Sequence, residues 1–191
     1  MLKELIQKNR SYRRFMESSR LDRGVLEGFI ENARFSASTA NLQPLRYRLI
    51  DSSGPCAETF DCLKWASYLS DWDGPQEGER PAGYIVVLHD TAIAIKPEYL
   101  WCDAGLAAQH ILMSATEAGY GGCIIASVNR ERLRSLLDIA ERCTILVVIA
   151  LGQPNERVVL TELDAEGSIR YYRDAEGTHF VPKRSLADLI V

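Results

Sequence analysis

Apolar residues along the chain follow two periods, and the switches between them set the expected elements. Val25, Leu26, Phe29, Ile30 and Ala33 recur at three- and four-residue spacing. That spacing makes one buried helix face, so a helix is expected over 23–34 with Asp22 as its N-cap. A shorter helix is expected over 2–8. In 45–51 the period drops to two, with Leu45, Tyr47 and Leu49 set against Arg46, Arg48 and Ile50, as in a strand with one buried face. Residues 84–89, 121–127 and 144–151 are short, nearly continuous apolar runs and predict buried strands. Pro97 suits the first turn of a long helix and Gly119 its end, so 97–118 is expected to be helical. Helices over 56–68 and over 130–137, the second capped by Asn129, complete the set. The Ser-, Thr-, Ala- and Asn-rich 35–44 reads as a loop. So does the acidic 71–81, punctuated by Gly74, Pro75, Gly78 and Pro81.

The tail carries a small echo. Asp-Ala-Glu-Gly occurs at 164–167 and again at 174–177, each ending in glycine as turns do. A β-meander with a short strand over 168–173 is expected there, too little chain for a repeat architecture. No low-complexity linker divides the sequence, so a single α+β domain over 1–191 is expected.

Bulk properties narrow the function. The 191 residues have a formal net charge of −4 and no run of Lys and Arg, which argues against nucleic acid as a partner. No apolar stretch approaches bilayer length, and the first residues lack a signal-peptide pattern, so a cytoplasmic, non-membrane protein is expected. Cys56, Cys62, Cys102, Cys123 and Cys143 are odd in number and widely spaced, and His89, His110 and His179 are far apart. Buried free thiols are expected, rather than a disulfide framework or a zinc site.

Phosphate-loop, dinucleotide-fingerprint and nucleophile-elbow motifs are all missing, so any chemistry falls to a bound cofactor. Three segments are candidates to hold an anionic one. In Arg10-Ser11-Tyr12-Arg13 two guanidinium groups flank a hydroxyl, a set able to converge on a phosphate. Alone, the same residues also read as a solvated basic patch at a helix C-terminus. In 36–44, Asn41 and Gln43 lie two apart and, in an extended loop, would present their amides in one direction. Such amides match a flat heterocycle that both donates and accepts; an ordinary loop of Asx turns is the alternative. In 119–127, glycines permit close backbone approach and Ile124 and Ile125 an apolar cover, with Ala126 and Ser127 at the edge. A helix end followed by a core strand fits that spacing equally well.

Together these segments resemble the nitroreductase family of flavoproteins. Arg10-Ser11-x-Arg13-x-Phe15 is similar to the family's Arg-Ser-x-Arg-x-Phe/Tyr opening. Ser38-x-x-Asn41-Leu42-Gln43-Pro44 resembles its Ser-x-x-Asn-x-Gln-Pro element, with Ala37 where the family usually has Pro. Asp103-x-Gly105-x-Ala107-x-Gln109, Gly119-Tyr120-Gly121-Gly122-Cys123, Leu151-Gly152-Gln153-Pro154 and Pro182-Lys183-Arg184 extend the likeness over almost the whole chain. The resemblance implies a nitroreductase-like fold, a mixed central sheet flanked by helices, in an intertwined homodimer binding FMN. It implies that Arg10, Ser11 and Arg13 hold the phosphate and ribityl chain, with Lys183 and Arg184 adding charge. Ser38, Asn41 and Gln43 would contact the flavin, some from the partner subunit. Ile124, Ile125, Ala126 and Ser127 would line the ring, although many members have Gly or Glu-Gly where Ala126-Ser127 stands. The implied activity is ping-pong transfer of hydride from NADH or NADPH through flavin N5 to a nitroaromatic, quinone or flavin acceptor. The alternative is a flavin-binding sensor or store without turnover. Ala104, Ala108, Ile111, Ala115 and Ala118 share a small-residue helix face that permits close packing, which could be burial within one chain; the resemblance implies instead that it packs on its twin across a two-fold axis. Trp65, Tyr68 and Trp72 either overhang the site or pack in the core or at its rim.

Overall fold

A computed structural model describes residues 1–69 and 71–191. In chain order the elements are α1 (Leu2–Lys8), α2 (Arg23–Ala33), β1 (Leu45–Ile50), α3 (Ser53–Phe60), β2 (Gly83–Asp90), α4 (Pro97–Glu117), β3 (Gly121–Ile125), α5 (Arg130–Leu137), β4 (Cys143–Gly152), β5 (Val158–Glu162), β6 (Tyr172–Arg173) and β7 (His179–Lys183). Local chemistry sets the clearest ends. Pro97 opens α4, where a missing N–H is harmless, and Gly119 follows it at φ +84°. The Asn129 side chain accepts the Arg132 N–H at 3.2 Å and caps α5. Asp22 stands at the N-cap of α2 but makes no side-chain cap bond.

The main sheet runs β1-β2-β4-β3. Every pairing in it is antiparallel, which corrects the expected mixed sheet within this chain. The parallel element at its edge is an isolated bridge between Ser11 and Gly122. Because side chains alternate along a strand, β2 sends Tyr84 and Val86 to one face and Ile85 and Val87 to the other. The first face packs with α3 and α5 through Cys56, Leu133 and Leu137. The second packs with α2 and α4 through Leu26, Phe29, Ala104 and Ile111. The fold is therefore α+β with helices on both faces of an antiparallel sheet. Among the described residues no helix is long and apolar enough to cross a membrane.

Three further expectations are corrected. The helix foreseen over 56–68 is α3, which starts at Ser53 and ends at Phe60. The chain beyond it is drawn out to pair elsewhere: Leu63 bridges Val128, and the Lys64 N–H donates to the Ser127 carbonyl at 3.0 Å. In the tail, only Tyr172–Arg173 of the expected 168–173 strand forms, and the order β5-β7-β6 with β5 parallel to β7 is not a meander. The two tetrapeptides do form turns, with Asp164 Oδ1 accepting the Ser168 N–H and Asp174 Oδ1 the Thr178 N–H. Finally, the small-residue face of α4 lies inside the chain. Ala104, Ala108, Ile111 and Ala115 are each 2% exposed or less, and they pack against α2 and the sheet; Ala118 is exposed.

Candidate functional site

β3 is an edge strand, and two pieces of chain border its free side. At its start the Tyr12 N–H donates to the Gly122 carbonyl at 3.0 Å. Past its end, Leu63 and Lys64 pair with Val128 and Ser127. Outward-facing backbone groups alternate along a strand, so with Gly122 facing out, Ile124 faces out as well, in the interval between the two. The carbonyl of Ser127 is taken by Lys64, and that of Ala126 by Arg130 Nη2 at 3.2 Å. Arg130 also binds the Ile145 and Leu146 carbonyls, fixing this corner to β4. Beyond those two carbonyls, the corner can present N–H donors and the Ser127 hydroxyl. The side chains of Ile124, Ala126 and Ser127 are exposed; Ile125 is buried in the core and does not line the interval. Gly121 and Gly122 serve the chain's own packing. A Cβ on Gly121 would lie 2.5 Å from the Tyr12 ring, and one on Gly122 would collide with the Ala150 carbonyl.

The basic segment before β3 divides its charges. Arg10 is half-buried, with Nη2 on the Ile6 carbonyl at 2.7 Å and Nε buried without a partner. Desolvation lowers its pKa, partly offset by Tyr12. Ser11 beside it is exposed. Arg13 turns toward the tail. Its Nη1 lies 3.4 Å from His179 Nε2 and its Cζ 5.0 Å from the Tyr171 ring centre. Glu156 ties this region together. Its side chain, 1% exposed, accepts the backbone N–H groups of Arg13 and Arg14 and pairs with Arg173 Nη2 at 3.0 Å. His179 is buried, and desolvation, then Arg13 and Arg173, lowers its pKa to about 4. The ring is therefore neutral, and since arginine only donates, Nε2 is the acceptor. Lys183 and Arg184 stand at the opposite end of β7, with Lys183 in register with Glu162. Four residues of extended strand, roughly 13 Å, separate Lys183 from His179, so within one chain these cations do not converge with Arg13.

The 38–43 loop is not extended. It folds into a tight turn in which Ala40, Asn41 and Gln43 have φ of +49°, +56° and +52°. Instead of projecting side by side, the two amides bond each other, Gln43 Nε2 to Asn41 Oδ1 at 3.1 Å. Ser38 uses its hydroxyl inside the chain, donating to Asp103 Oδ2 at 2.7 Å and accepting the Gln43 N–H at 3.0 Å. A cavity of about 210 Å³ lies behind this loop, lined by Ser38, Gln43, Tyr47, Asp103 and Ala107 among others. Of the three aromatics, Trp65 is core, Trp72 lies under the Arg173 guanidinium, and Tyr68 packs at a tilt against Tyr171 at the surface.

Lys64, Asp103, Arg130, Glu156 and His179 shape these segments but were not foreseen as functional. Only Asp103 lay within a recognised motif; the others belong to no local pattern, and apart from the Ala126 carbonyl that Arg130 binds, the partners named for them lie farther off in the chain.

The nitroreductase family model matches residues 6–153, which leaves the tail with β5, β6 and β7 outside the match. Solved structures with the same fold include a nitroreductase family protein from Clostridium novyi NT, at 21% identity and TM-score 0.65 over 81% of this chain and 86% of that one. An FMN-dependent nitroreductase from Clostridium difficile R20291 aligns at 19% identity and TM-score 0.65, covering 80% and 87%. CLA-ER, an enone reductase of gut-bacterial fatty acid saturation, aligns at 16% identity and TM-score 0.68, covering 86% and 94%. No curated protein matches the sequence.

Proposed function

The chain belongs to the nitroreductase family, and on that premise we propose that it is an FMN-dependent NAD(P)H oxidoreductase working as a homodimer. Bound FMN supplies the redox chemistry, taking reducing equivalents from NADH or NADPH and passing them to a nitroaromatic, quinone or flavin acceptor. The observation that carries this reading is the open interval of β3. A flavin edge is rich in acceptors, and Ala126 and Ser127, their carbonyls already engaged, match it with donors. Ile124 gives an apolar contact to the ring face. Arg10 and Ser11 hold the phosphate, Arg10 having a buried Nε still to satisfy. Arg13 contributes through the tail it anchors rather than as a free guanidinium. Lys64, led to Ser127 by its backbone bond, adds a cation at the ring end.

A second copy is part of the proposal. With the alanine face of α4 buried in its own chain, the seam falls on what α4 leaves outside. Tyr99, Trp101 and Leu106 are exposed there, and Phe35 and Leu42 are exposed on either side of 38–41, the turn that Asp103 of α4 holds. A partner covering this surface would meet Asn41 and Gln43 as well.

Titration of purified protein with FMN and with riboflavin tests the reading, with sedimentation recorded in parallel. FMN should bind much more tightly than riboflavin, to a dimer, and NADH or NADPH should bleach it. Arg10→Ala should weaken FMN binding by about ten- to a hundredfold. Equal affinity for the two flavins would sink the phosphate assignment, bound flavin that neither nicotinamide bleaches would favour a sensor or store, and an FMN-loaded monomer would remove the second copy.

A further inference from the structure

Asp103 is a carboxylate in the first two turns of α4, 3% exposed. Among the described residues it forms no ion pair; its charge is met by hydrogen bonds alone. Such a group is costly to bury unless its lone pairs are filled. Ser38 Oγ donates to it at 2.7 Å, the Thr39 N–H at 3.0 Å and Thr39 Oγ1 at 2.9 Å. Every one of these donors belongs to one loop. The next residues of that loop are left-handed at Ala40, Asn41 and Gln43, backbone that asparagine tolerates but alanine and glutamine avoid. Conformations of this kind persist only where the surroundings impose them. Asp103 imposes this one from both sides. It fixes Thr39 directly, and through the Ser38 hydroxyl, which accepts the Gln43 N–H at 3.0 Å, it fixes the far end. The joined amides of Asn41 and Gln43 are thereby held outward at the surface.

We propose that Asp103 is the positioning residue for the flavin-contacting loop, and that it reaches Gln43 through the Ser38 hydroxyl, which serves as a relay and not as a contact of the ring. The proposal rests on the flavin reading above. Ligand affinity then depends on the loop being ordered before the ligand arrives, and the relay gains strength from its charged end.

The test is a set of affinities for FMN and for riboflavin, measured with the flavin absorption spectrum on Asp103→Asn, Ser38→Ala, their double variant and Thr39→Val. Arg10→Ala serves as the phosphate-end control. Ser38→Ala and Thr39→Val should each weaken both flavins by the same factor, about tenfold, and Asp103→Asn by up to about a hundredfold. The absorption band should shift with them while thermal stability stays near native. Arg10→Ala should weaken FMN alone. The double variant should be no worse than Asp103→Asn, because the two residues lie on one path. Additive losses would place Ser38 on the ring and overturn the relay. Native affinity in both Asp103→Asn and Thr39→Val would reduce Asp103 to a structural group. Thr39→Val leaves the carboxylate and the Thr39 N–H bond in place, so it decides the matter alone if Asp103→Asn does not fold. A native chain that binds neither flavin overturns the flavin reading itself, an outcome distinct from native binding that ignores Asp103.

Discussion

The segment from Asn9 to Phe15 and the loop from Ser38 to Gln43 are both proposed to hold the same cofactor, yet they are held in opposite ways. The first is cross-linked to several remote elements: Tyr12 to Gly122, Arg13 to Glu156 and His179, and Phe15 bridging Pro154. None of its residues is left-handed. The second has three left-handed residues and hangs largely on one carboxylate. A segment with many anchors should lose stability when its central anchor goes, because the anchors also hold the tail. A segment with one anchor should lose its shape, and hence ligand affinity, with little change in the stability of the whole.

The strongest way to break this contrast is at Glu156. Glu156→Ala leaves the Arg173 guanidinium buried without its carboxylate and frees the N–H groups of Arg13 and Arg14. Losing one partner of a buried pair is expected to cost about 3–5 kcal/mol, read as a lower urea midpoint. Proteolysis should begin in the tail, whose docking on the N-terminal segment this carboxylate secures. A loss below about 1 kcal/mol would match an exposed ion pair instead and would leave Arg13 free to face a ligand.

A smaller effect should appear with pH at His179. Its folded pKa is lowered from 6.5 to about 4, by burial first and then by Arg13 and Arg173. The unfolded chain takes up a proton near 6.5 and the folded chain does not until about 4, so unfolding is favoured as pH falls between those values. The contribution is intact above pH 6.5 and lost progressively below it. At about 1.4 kcal/mol per pH unit, native protein should lose about 2 kcal/mol more than His179→Gln between pH 7 and pH 5. Equal losses in the two proteins would mean that His179 titrates as an exposed histidine and does not lock Arg13 to the tail.

How legible each region was in the sequence depends on how local its causes are. Pro97 and Gly119 mark the limits of α4 by their own backbone chemistry, and Asn129 caps α5 from the adjacent position. The alternation at 45–50 is a property of β1 alone. The early end of α3 was not legible, because Leu63 and Lys64 are drawn out by Val128 and Ser127, more than sixty residues away. Which face of α4 would be covered, and by what, depends on α2 and the sheet rather than on the helix. For the candidate site, the sequence showed which side chains carry charge and amides but not where they point. Arg13 carries the expected charge into the tail, and Ser38 carries the expected hydroxyl into Asp103. The left-handed turn is only partly marked in Thr-Ala-Asn-Leu-Gln: Asn41 tolerates that backbone, but no glycine stands at Ala40 or Gln43.

That missing glycine gives the smallest and most discriminating prediction. At φ +49° the Cβ of Ala40 costs about 1 kcal/mol relative to glycine. Ala40→Gly removes this penalty and adds back part of it as greater freedom of the unfolded chain. The net gain in stability should be about 0.5 kcal/mol, seen as a slightly higher urea midpoint. The same change opens other conformations to the turn. Asp103 still grips Ser38 and Thr39, but the Asn41–Gln43 pair beyond them is less firmly fixed, so more ordering remains to be done when flavin binds. Affinity for FMN and riboflavin should therefore fall together, by about two- to fivefold. Stability and affinity then move in opposite directions, as expected where local strain serves function. If Ala40→Gly lowered stability as well, the turn would not be strained at that position, and the contrast between a cross-linked segment and a strained one would fail at its weaker end.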